Sequence, residues 1–285
     1  MKKILFLLFF ISLCSASANG SSRDDGLKIH FIDVGEGEAI LIQAQGKNAL
    51  VDTGNLLSGY KLVDYLKEKN VRNIDHIIIT HHDLDHISGL FFVIPKFNVG
   101  NYYDNGVAFG GDDNPVSAWY EKIFRSKENY RSLKEGNRLK LGDTTLEVIW
   151  PPAQEKPLIG SFNYNSLVII LSFRDFKCLL TADINSAVES ELLKKGVDLK
   201  TDVLKVAHHG ASDATSEDFL NRAHPRFAVI SVDKNNRRGY PVDAVLNLLR
   251  LHNIKTYRTD EDGSILLSVN DKAEVSFSIK KIAYR

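Results

Sequence analysis

The run from His81 to His86 constrains this chain more than any other feature of its sequence. Five of its six residues can bind a metal ion, and the run follows the apolar segment Ile77-Ile78-Ile79-Thr80. Such a segment is typical of a strand buried in a layered α/β fold. Carboxylates and imidazoles crowded at the end of a buried strand are unfavourable unless a cation neutralises them. The run therefore predicts a metal site at a strand end, with a solvated polar loop as the alternative.

Two later segments have the same form, in which an apolar strand ends in metal-binding side chains. Leu179–Asp183 ends in a carboxylate, and Val203–Gly210 contains the paired His208 and His209. Either segment alone is weak, because an aspartate after a strand is more often a helix cap than a ligand. Three such strand ends favour a shared site, and mixed imidazole and carboxylate donors suit zinc, manganese or iron.

The predicted strands and helices indicate one domain at residues 27–285. Strand-like runs occur in both halves of the chain, and no linker rich in Pro, Gly or Ser divides them. Helical spacing is found at Tyr60–Lys69, Val116–Phe124, Ser186–Lys195, Ser216–Ala223 and Val242–Leu251. Two stacked sheets with helices outside are the economical arrangement. Residues 101–136 are less regular.

Residues 1–18 are typical of a signal peptide. Lys2 and Lys3 precede the apolar run Ile4–Leu13, and Ala16-Ser17-Ala18 fits a cleavage site. We therefore expect a secreted or periplasmic protein with a flexible lead at 19–26 and no membrane span after cleavage. An uncleaved anchor is the alternative. Cys178 would then be the one remaining cysteine, which excludes an intramolecular disulfide.

The charge balance argues against a dedicated nucleic-acid binder. Because the 36 basic residues include Lys2 and Lys3, cleavage would leave 34 against 36 acidic residues. Any contact with a polyanion must therefore be local. The loop Lys234–Arg238, together with Lys205 and Arg258, could receive phosphate oxygens; a solvated surface loop is the alternative.

Five motifs resemble, in order along the chain, those of the metallo-β-lactamase superfamily. They are Asp33–Ala39, Val51–Gly54, His81–His86, Leu180–Asp183 and His208–Gly210. Within the superfamily they are most similar to the hydrolase domain of the ComEC-type DNA-internalisation competence proteins. The resemblance runs from about Leu27 to Val269. It implies an α/β fold, a four-layer αββα sandwich, with the site at one edge between the sheets.

The resemblance also implies two divalent metal ions, zinc or manganese. It assigns His81 and Asp83 to the first ion, Asp85, His86 and His208 to the second, and Asp183 as the bridge. Asp85 would also orient a metal-bound hydroxide. His209 would lie behind the ligands or face the substrate, and Asp52 would steady the ligand loop.

Two departures from the family pattern affect the site. The segment Ser161–Ser166 lacks a histidine that many members have, so Asn163, Asn165 or water would complete the first metal site. Such an oxygen-rich site leans toward manganese. Tyr240 stands where competence-type domains usually have a histidine, and a phenol donates a hydrogen bond but does not titrate near neutral pH.

The resulting functional prediction is an exported two-metal hydrolase that acts through the metal-bound hydroxide. A phosphodiesterase or nuclease fits this chemistry best, with DNA among the candidate substrates. Two alternatives stay open: hydrolysis of a small ester, lactone or lactam, and a non-catalytic exported binding protein with a degraded metal site. The substrate, the metal and the oligomeric state are not determined by the sequence.

Overall fold

A computed structural model of the chain describes residues 26–108, 115–153 and 162–280. The predicted signal peptide at 1–18, and the predicted lead apart from Gly26, lie outside the described residues. Among the helices of the described ranges, none is long and apolar enough to cross a membrane.

The described residues form two β-sheets. The strands of the first sheet are β1 (Leu27–Phe31), β2 (Ile40–Ala44), β3 (Lys47–Val51), β4 (Asn73–Ile78), β5 (Asn98–Asp104), β6 (Tyr130–Ser132), β14 (Ser264–Val269) and β15 (Val275–Lys280). Those of the second are β7 (Arg138–Leu141), β8 (Thr144–Trp150), β9 (Val168–Phe173), β10 (Phe176–Leu180), β11 (Val203–Lys205), β12 (Phe227–Ile230) and β13 (Lys255–Arg258). The strand orders are β15-β14-β1-β2-β3-β4-β5-β6 and β13-β12-β11-β10-β9-β8-β7.

Helices cover the outer face of each sheet. The first sheet carries α1 (Gly59–Glu68), α2 (Leu84–Ile87), α3 (Leu90–Val93) and α4 (Pro115–Tyr120), which continues as the π-helical turn Glu121–Arg125. The second carries α5 (Ser186–Lys194), α6 (Glu217–Ala223) and α7 (Asp243–Leu251), and α8 (Thr259–Asp262) joins β13 to β14. Short 3₁₀ turns lie at Leu56–Ser58 and Asn163–Asn165, and Ala207–Gly210 forms a turn with a non-helical backbone at His208 and His209.

Alternation along the buried strands produces three apolar layers. In β2, Ile40 and Ile42 join the core between the sheets, whereas Leu41 packs in the layer under α1. Leu179 of β10 likewise lies under the helices of the second sheet, and Cys178 lies between the sheets. Successive side chains of a strand point to opposite faces, so both faces of each central strand are covered. The predicted αββα sandwich is confirmed.

Residues 101–136, predicted to be less regular, contain the second half of strand β5 and the whole of strand β6. β5 pairs in parallel with β4, and β6 pairs in parallel with β5. Strand β5 begins with Asn98-Val99-Gly100-Asn101, which is mostly polar and contains a glycine, so the β propensity of this segment is low. Pairing with the buried β4 overrides that local preference.

His30 is an ionisable side chain buried within the first sheet. Its Nδ1 lies 3.0 Å from the Tyr65 hydroxyl and its Nε2 lies 3.1 Å from Gln43 Oε1. Burial, reinforced by the Lys69 ammonium, lowers the pKa of His30 from 6.5 to about 4. As the pH falls from 6.5 toward 4, the unfolded chain therefore binds a proton that the folded chain excludes.

This proton linkage predicts a pH-dependent loss of stability that His30→Gln removes. The free energy of unfolding of the parent, relative to His30→Gln, should decrease by about 2 kcal/mol between pH 7 and pH 5. Urea denaturation of both proteins in chelator measures the difference without a contribution from bound metal. Parallel stability profiles for the two proteins would contradict the assignment.

Candidate metal centre

Three strand ends converge at one edge of the sandwich. The His81–His86 segment follows β4 of the first sheet, Asp183 follows β10, and His209 lies in the turn after β11. β10 and β11 are parallel neighbours in the second sheet, so their carboxyl ends lie at the same edge. The convergence that the sequence predicted is present.

Asp183 lies at the middle of this convergence. Its Oδ2 is 3.3 Å from His209 Nε2, 3.5 Å from His86 Nε2 and 3.9 Å from His81 Nε2. All four side chains are buried. Donor atoms of His81, His86 and Asp183 form one group within 4.8 Å of one another, and those of Asp85, His86 and His209 form a second.

Asp52 orients two of the three imidazoles. Its Oδ1 accepts a hydrogen bond from the Thr80 backbone N–H at 2.8 Å, and its Oδ2 accepts from the Thr80 hydroxyl at 2.7 Å. The same Oδ2 lies 2.8 Å from His86 Nδ1, while the Thr80 hydroxyl lies 3.0 Å from His81 Nδ1. This buried carboxylate therefore supports the ligand loop, as the resemblance implied.

These contacts settle which imidazole nitrogen carries the proton. His209 Nδ1 lies 2.7 Å from the Ser231 carbonyl oxygen, which can only accept, so this Nδ1 donates. His86 Nδ1 donates to Asp52 on the same ground. In a neutral imidazole the other nitrogen, Nε2, then carries a lone pair. When His86 and His209 are neutral, as metal binding requires, their Nε2 lone pairs face the Asp183 oxygen.

The arrangement fits a divalent cation. The Nε2 atoms of His81, His86 and His209 are buried without a hydrogen-bond partner among the described residues. Lone pairs on nitrogen and on a carboxylate oxygen repel each other at this range unless a positive charge lies between them. Nitrogen and oxygen donors in this mixture suit borderline divalent metals.

The pKa values of Asp183 and His86 depend strongly on each other's charge. Burial alone would raise the pKa of Asp183, but His209 and His86 outweigh it and hold that pKa well below its usual value. Burial alone would lower the pKa of His86, but the carboxylates of Asp183 and Asp52 outweigh it and raise that pKa well above normal. In the metal-free cluster Asp183 therefore stays negatively charged, and a proton on His86 supplies the positive charge that a bound cation would otherwise supply.

Asp83 and Asp85 form the outer side of the cluster. Asp83 Oδ2 lies 3.6 Å from His81 Nε2, and Asp85 Oδ2 lies 3.9 Å from His209 Nε2. Their side chains are 35% and 14% exposed, so they border solvent, unlike the imidazoles. Gly37 makes room for the Asp85 backbone, because a Cβ at Gly37 would lie 1.8 Å from the Asp85 carbonyl oxygen.

The structure places His209 in the cluster, where the sequence had favoured His208. His208 and His209 have positive φ values of 49° and 57°, so the chain turns sharply after β11. The turn directs His208 outward, with Nδ1 3.1 Å from Asp213 Oδ1 and Nε2 3.4 Å from Asn163 Nδ2. Counting residues from the strand end misassigns the ligand, because the strand ends at Lys205 rather than at Ala207.

Two members of the predicted basic patch lie elsewhere. Lys205 is fully buried and forms an ion pair with the buried Glu38. Arg258 binds both carboxylate oxygens of Asp260, at 3.0 and 2.6 Å. A signal for the first was present in the sequence, since Lys205 interrupts an otherwise apolar central strand.

A small open cavity, with room for about one water molecule, lies beside Asp85 and His209. Tyr240, Arg238 and Glu36 are among the residues that line it. Lys234, Arg237 and Arg238 of the predicted basic loop are exposed. The cavity is therefore an entry route to the cluster with a basic loop at its rim.

Alanine substitution distinguishes the two adjacent histidines. His209→Ala should remove roughly half of the bound divalent metal per chain, because an imidazole ligand is lost. His208→Ala should leave metal content unchanged, because its side chain faces Asp213. Elemental analysis of both variants after dialysis measures this, and metal loss confined to His208→Ala would reverse the assignment.

Comparison with known proteins agrees with this geometry. The sequence profile of the Metallo-beta-lactamase superfamily matches residues 32–232. ComE operon protein 3 of Bacillus subtilis (strain 168) is 30% identical over 282 residues, covering 92% of this chain and 34% of that protein. Competence protein ComA of Neisseria gonorrhoeae is 29% identical over 235 residues, covering 82% of this chain and 31% of that protein. The chain spans about a third of the length of these curated relatives.

A solved structure shares the fold. The metallo-beta-lactamase fold protein YhfI from Bacillus subtilis superposes with a TM-score of 0.53 at 15% identity, over 82% of this chain and 96% of that chain. The predicted resemblance to ComEC-type competence proteins is confirmed by the two competence relatives. With its sandwich fold and its His/Asp cluster, the chain belongs to the metallo-β-lactamase superfamily.

Proposed function

We propose that this protein is a secreted or periplasmic phosphodiesterase that uses two divalent metal ions. The buried convergence of three imidazole Nε2 atoms on Asp183 Oδ2, beside a cavity with a basic rim, carries the proposal. Residues 1–18 support export, and the competence relatives support a phosphodiester such as that of DNA.

The geometry supports a ligand set with one change from the sequence prediction. His81 and Asp83 would hold the first ion, Asp85, His86 and His209 would hold the second, and Asp183 would be available to both. Zinc and manganese both match these donors. Bound divalent ions would lower the pKa of a water molecule and offset the charge that develops on the phosphoryl oxygens.

The protein's own groups bind and orient the substrate. Arg238, half-exposed at the cavity rim, lies 3.8 Å from Glu36 and can exchange that weak contact for a phosphate oxygen. Asp85 borders the cavity and can accept a hydrogen bond from the attacking water. Tyr240 lines the same cavity, where its hydroxyl can donate a hydrogen bond to a substrate oxygen.

A smaller substrate is the second candidate. The cavity is small for a polymer, and Glu36, Asp85 and Asp233 place carboxylates around it. Negative charge at the entrance disfavours a polyanion and accommodates a neutral lactone, lactam or small ester. The basic rim at Arg238 favours the phosphodiester over these substrates.

Hydrolysis of a generic phosphodiester tests the proposed function. Purified protein with manganese or zinc should hydrolyse bis(p-nitrophenyl) phosphate and nick circular single-stranded DNA, and a chelator should abolish both activities. Asp183→Ala should lower the rate more than about 100-fold, because the residue between the two groups of donors is lost. Parallel assays with a lactone and a chromogenic lactam distinguish the second candidate function from phosphodiester hydrolysis. Full metal content without turnover of any substrate would favour a non-catalytic binding protein.

Arg238 provides a separate test of phosphate recognition. Arg238→Ala should raise KM for the phosphodiester roughly three- to fivefold and leave kcat unchanged, because an exposed charge contact is worth up to about 1 kcal/mol. The effect should shrink at high salt, which screens exposed charges. Lys272→Ala, in the exposed turn between β14 and β15, serves as the control. An equal change in both variants would mean that Arg238 has no specific role.

A further inference from the structure

Lys205 and Glu38 form a buried ion pair that spans the two sheets beneath the metal centre. Lys205 ends β11 in the second sheet, Glu38 precedes β2 in the first, and both side chains are 0% exposed. The Lys205 ammonium contacts Glu38 Oε2 and donates to the Ala182 carbonyl oxygen at 3.3 Å. Lysine is almost never fully buried unless it is paired, so this location needs a physical reason.

The pair connects to both groups of proposed ligands. The Glu38 backbone N–H donates to the Asp85 carbonyl at 3.3 Å, and the Glu38 carbonyl accepts from Gly54 at 2.8 Å. On the other sheet, the Lys205 carbonyl accepts from the Thr181 hydroxyl at 2.5 Å. Glu38 is therefore tied to the ligand loop of the first sheet, and Lys205 to the strand end that carries Asp183.

The two oxygens of Asp183 have different neighbours. Oδ1 lies 4.0 Å from the Lys205 ammonium, whereas Oδ2 lies 3.3 to 3.9 Å from the three imidazole Nε2 atoms. An ammonium attracts the nearer carboxylate oxygen and opposes a rotation that would turn both oxygens toward the imidazoles. We propose that Lys205, held in place by Glu38, is a positioning residue that fixes the orientation of the Asp183 carboxylate so that Oδ2 faces the metal centre.

A purely structural ion pair makes a different prediction. Replacing both members of a buried pair with apolar groups is often neutral or stabilising, whereas removing one leaves an unpaired charge and destabilises strongly. If the pair only joined the sheets, the double replacement would leave the metal centre intact. The inference rests on the metal centre of the proposed function, and its test therefore measures metal binding directly.

The main experiment compares the parent with Glu38→Met/Lys205→Met, which avoids an unpaired buried charge. The double variant should fold, with a metal-free Tm near that of the parent. Its affinity for manganese, measured by competition with a chromogenic chelator, should fall ~10- to 100-fold, as for other residues that orient metal ligands. The electron paramagnetic resonance spectrum of the manganese-loaded protein should also change, because Asp183 is reoriented. Unchanged affinity and an unchanged spectrum would overturn the proposal.

Two further variants keep the test informative. The exchanged pair Glu38→Lys/Lys205→Glu retains an ion pair but places a carboxylate near Asp183 Oδ1. Its affinity for manganese should therefore fall as well. An affinity equal to that of the parent would show that any ion pair at this place suffices and would refute the proposal. Glu38→Gln/Lys205→Gln replaces the double methionine variant if the latter does not fold. Lys61→Met, which removes a partly buried ion pair with Asp33, is the control and should bind manganese like the parent.

The same measurements separate this inference from the proposed function. A parent that binds manganese but hydrolyses no phosphodiester refutes the substrate assignment and still allows the role of Lys205 to be decided from affinity and spectrum. A parent that binds no divalent metal refutes both.

Discussion

The approach of Asp183 Oδ2 to three buried imidazole nitrogens is the interaction on which the rest of the structure depends. Nε2 of His81, His86 and His209 lie within 3.9 Å of that oxygen, with no competing hydrogen bond among the described residues. Electron pairs brought this close in a buried place require a cation or a proton between them. In the metal-free chain a proton meets this requirement, which is why the pKa of His86 is raised and the pKa of Asp183 is lowered.

The surroundings hold this unfavourable arrangement in place. Asp52 constrains His86 directly and His81 through the Thr80 hydroxyl, while the Ser231 carbonyl constrains His209. Asp52, Ala182 and His209 also have positive φ values, a strained conformation for residues other than glycine. Strain of this kind persists only where the neighbouring structure enforces it, and here the two packed sheets do so. Binding of a metal ion by these residues would therefore be coupled to the folding of the strand ends.

The fold positions the chemistry but does not choose the substrate. Both sheets contribute side chains to the cluster, so the cluster exists only where the layers meet, and the cavity beside Asp85 and His209 opens next to it. The basic loop and the acidic residues at that entrance act in opposite directions on an anionic substrate. Under the proposed function, rim residues such as Arg238 and Glu36, rather than the metal ligands, would carry the substrate specificity.

Much of the fold and most of the candidate site could be predicted from the sequence, because both depend on local patterns. Apolar strands ending in His or Asp indicated stacked sheets and predicted that His81, Asp83, Asp85, His86 and Asp183 would meet at one edge, and the family resemblance implied the supporting role of Asp52. Only the tertiary structure decided the directions in which certain side chains point and how deeply they are buried. A turn with two left-handed residues points His209 rather than His208 inward. Packing of β11 between β10 and β12 buries Lys205 against Glu38, a residue 167 positions away in the chain that comes close only when the two sheets stack. Periodicity along one segment cannot report such contacts, because they arise between segments that the sequence does not order relative to each other.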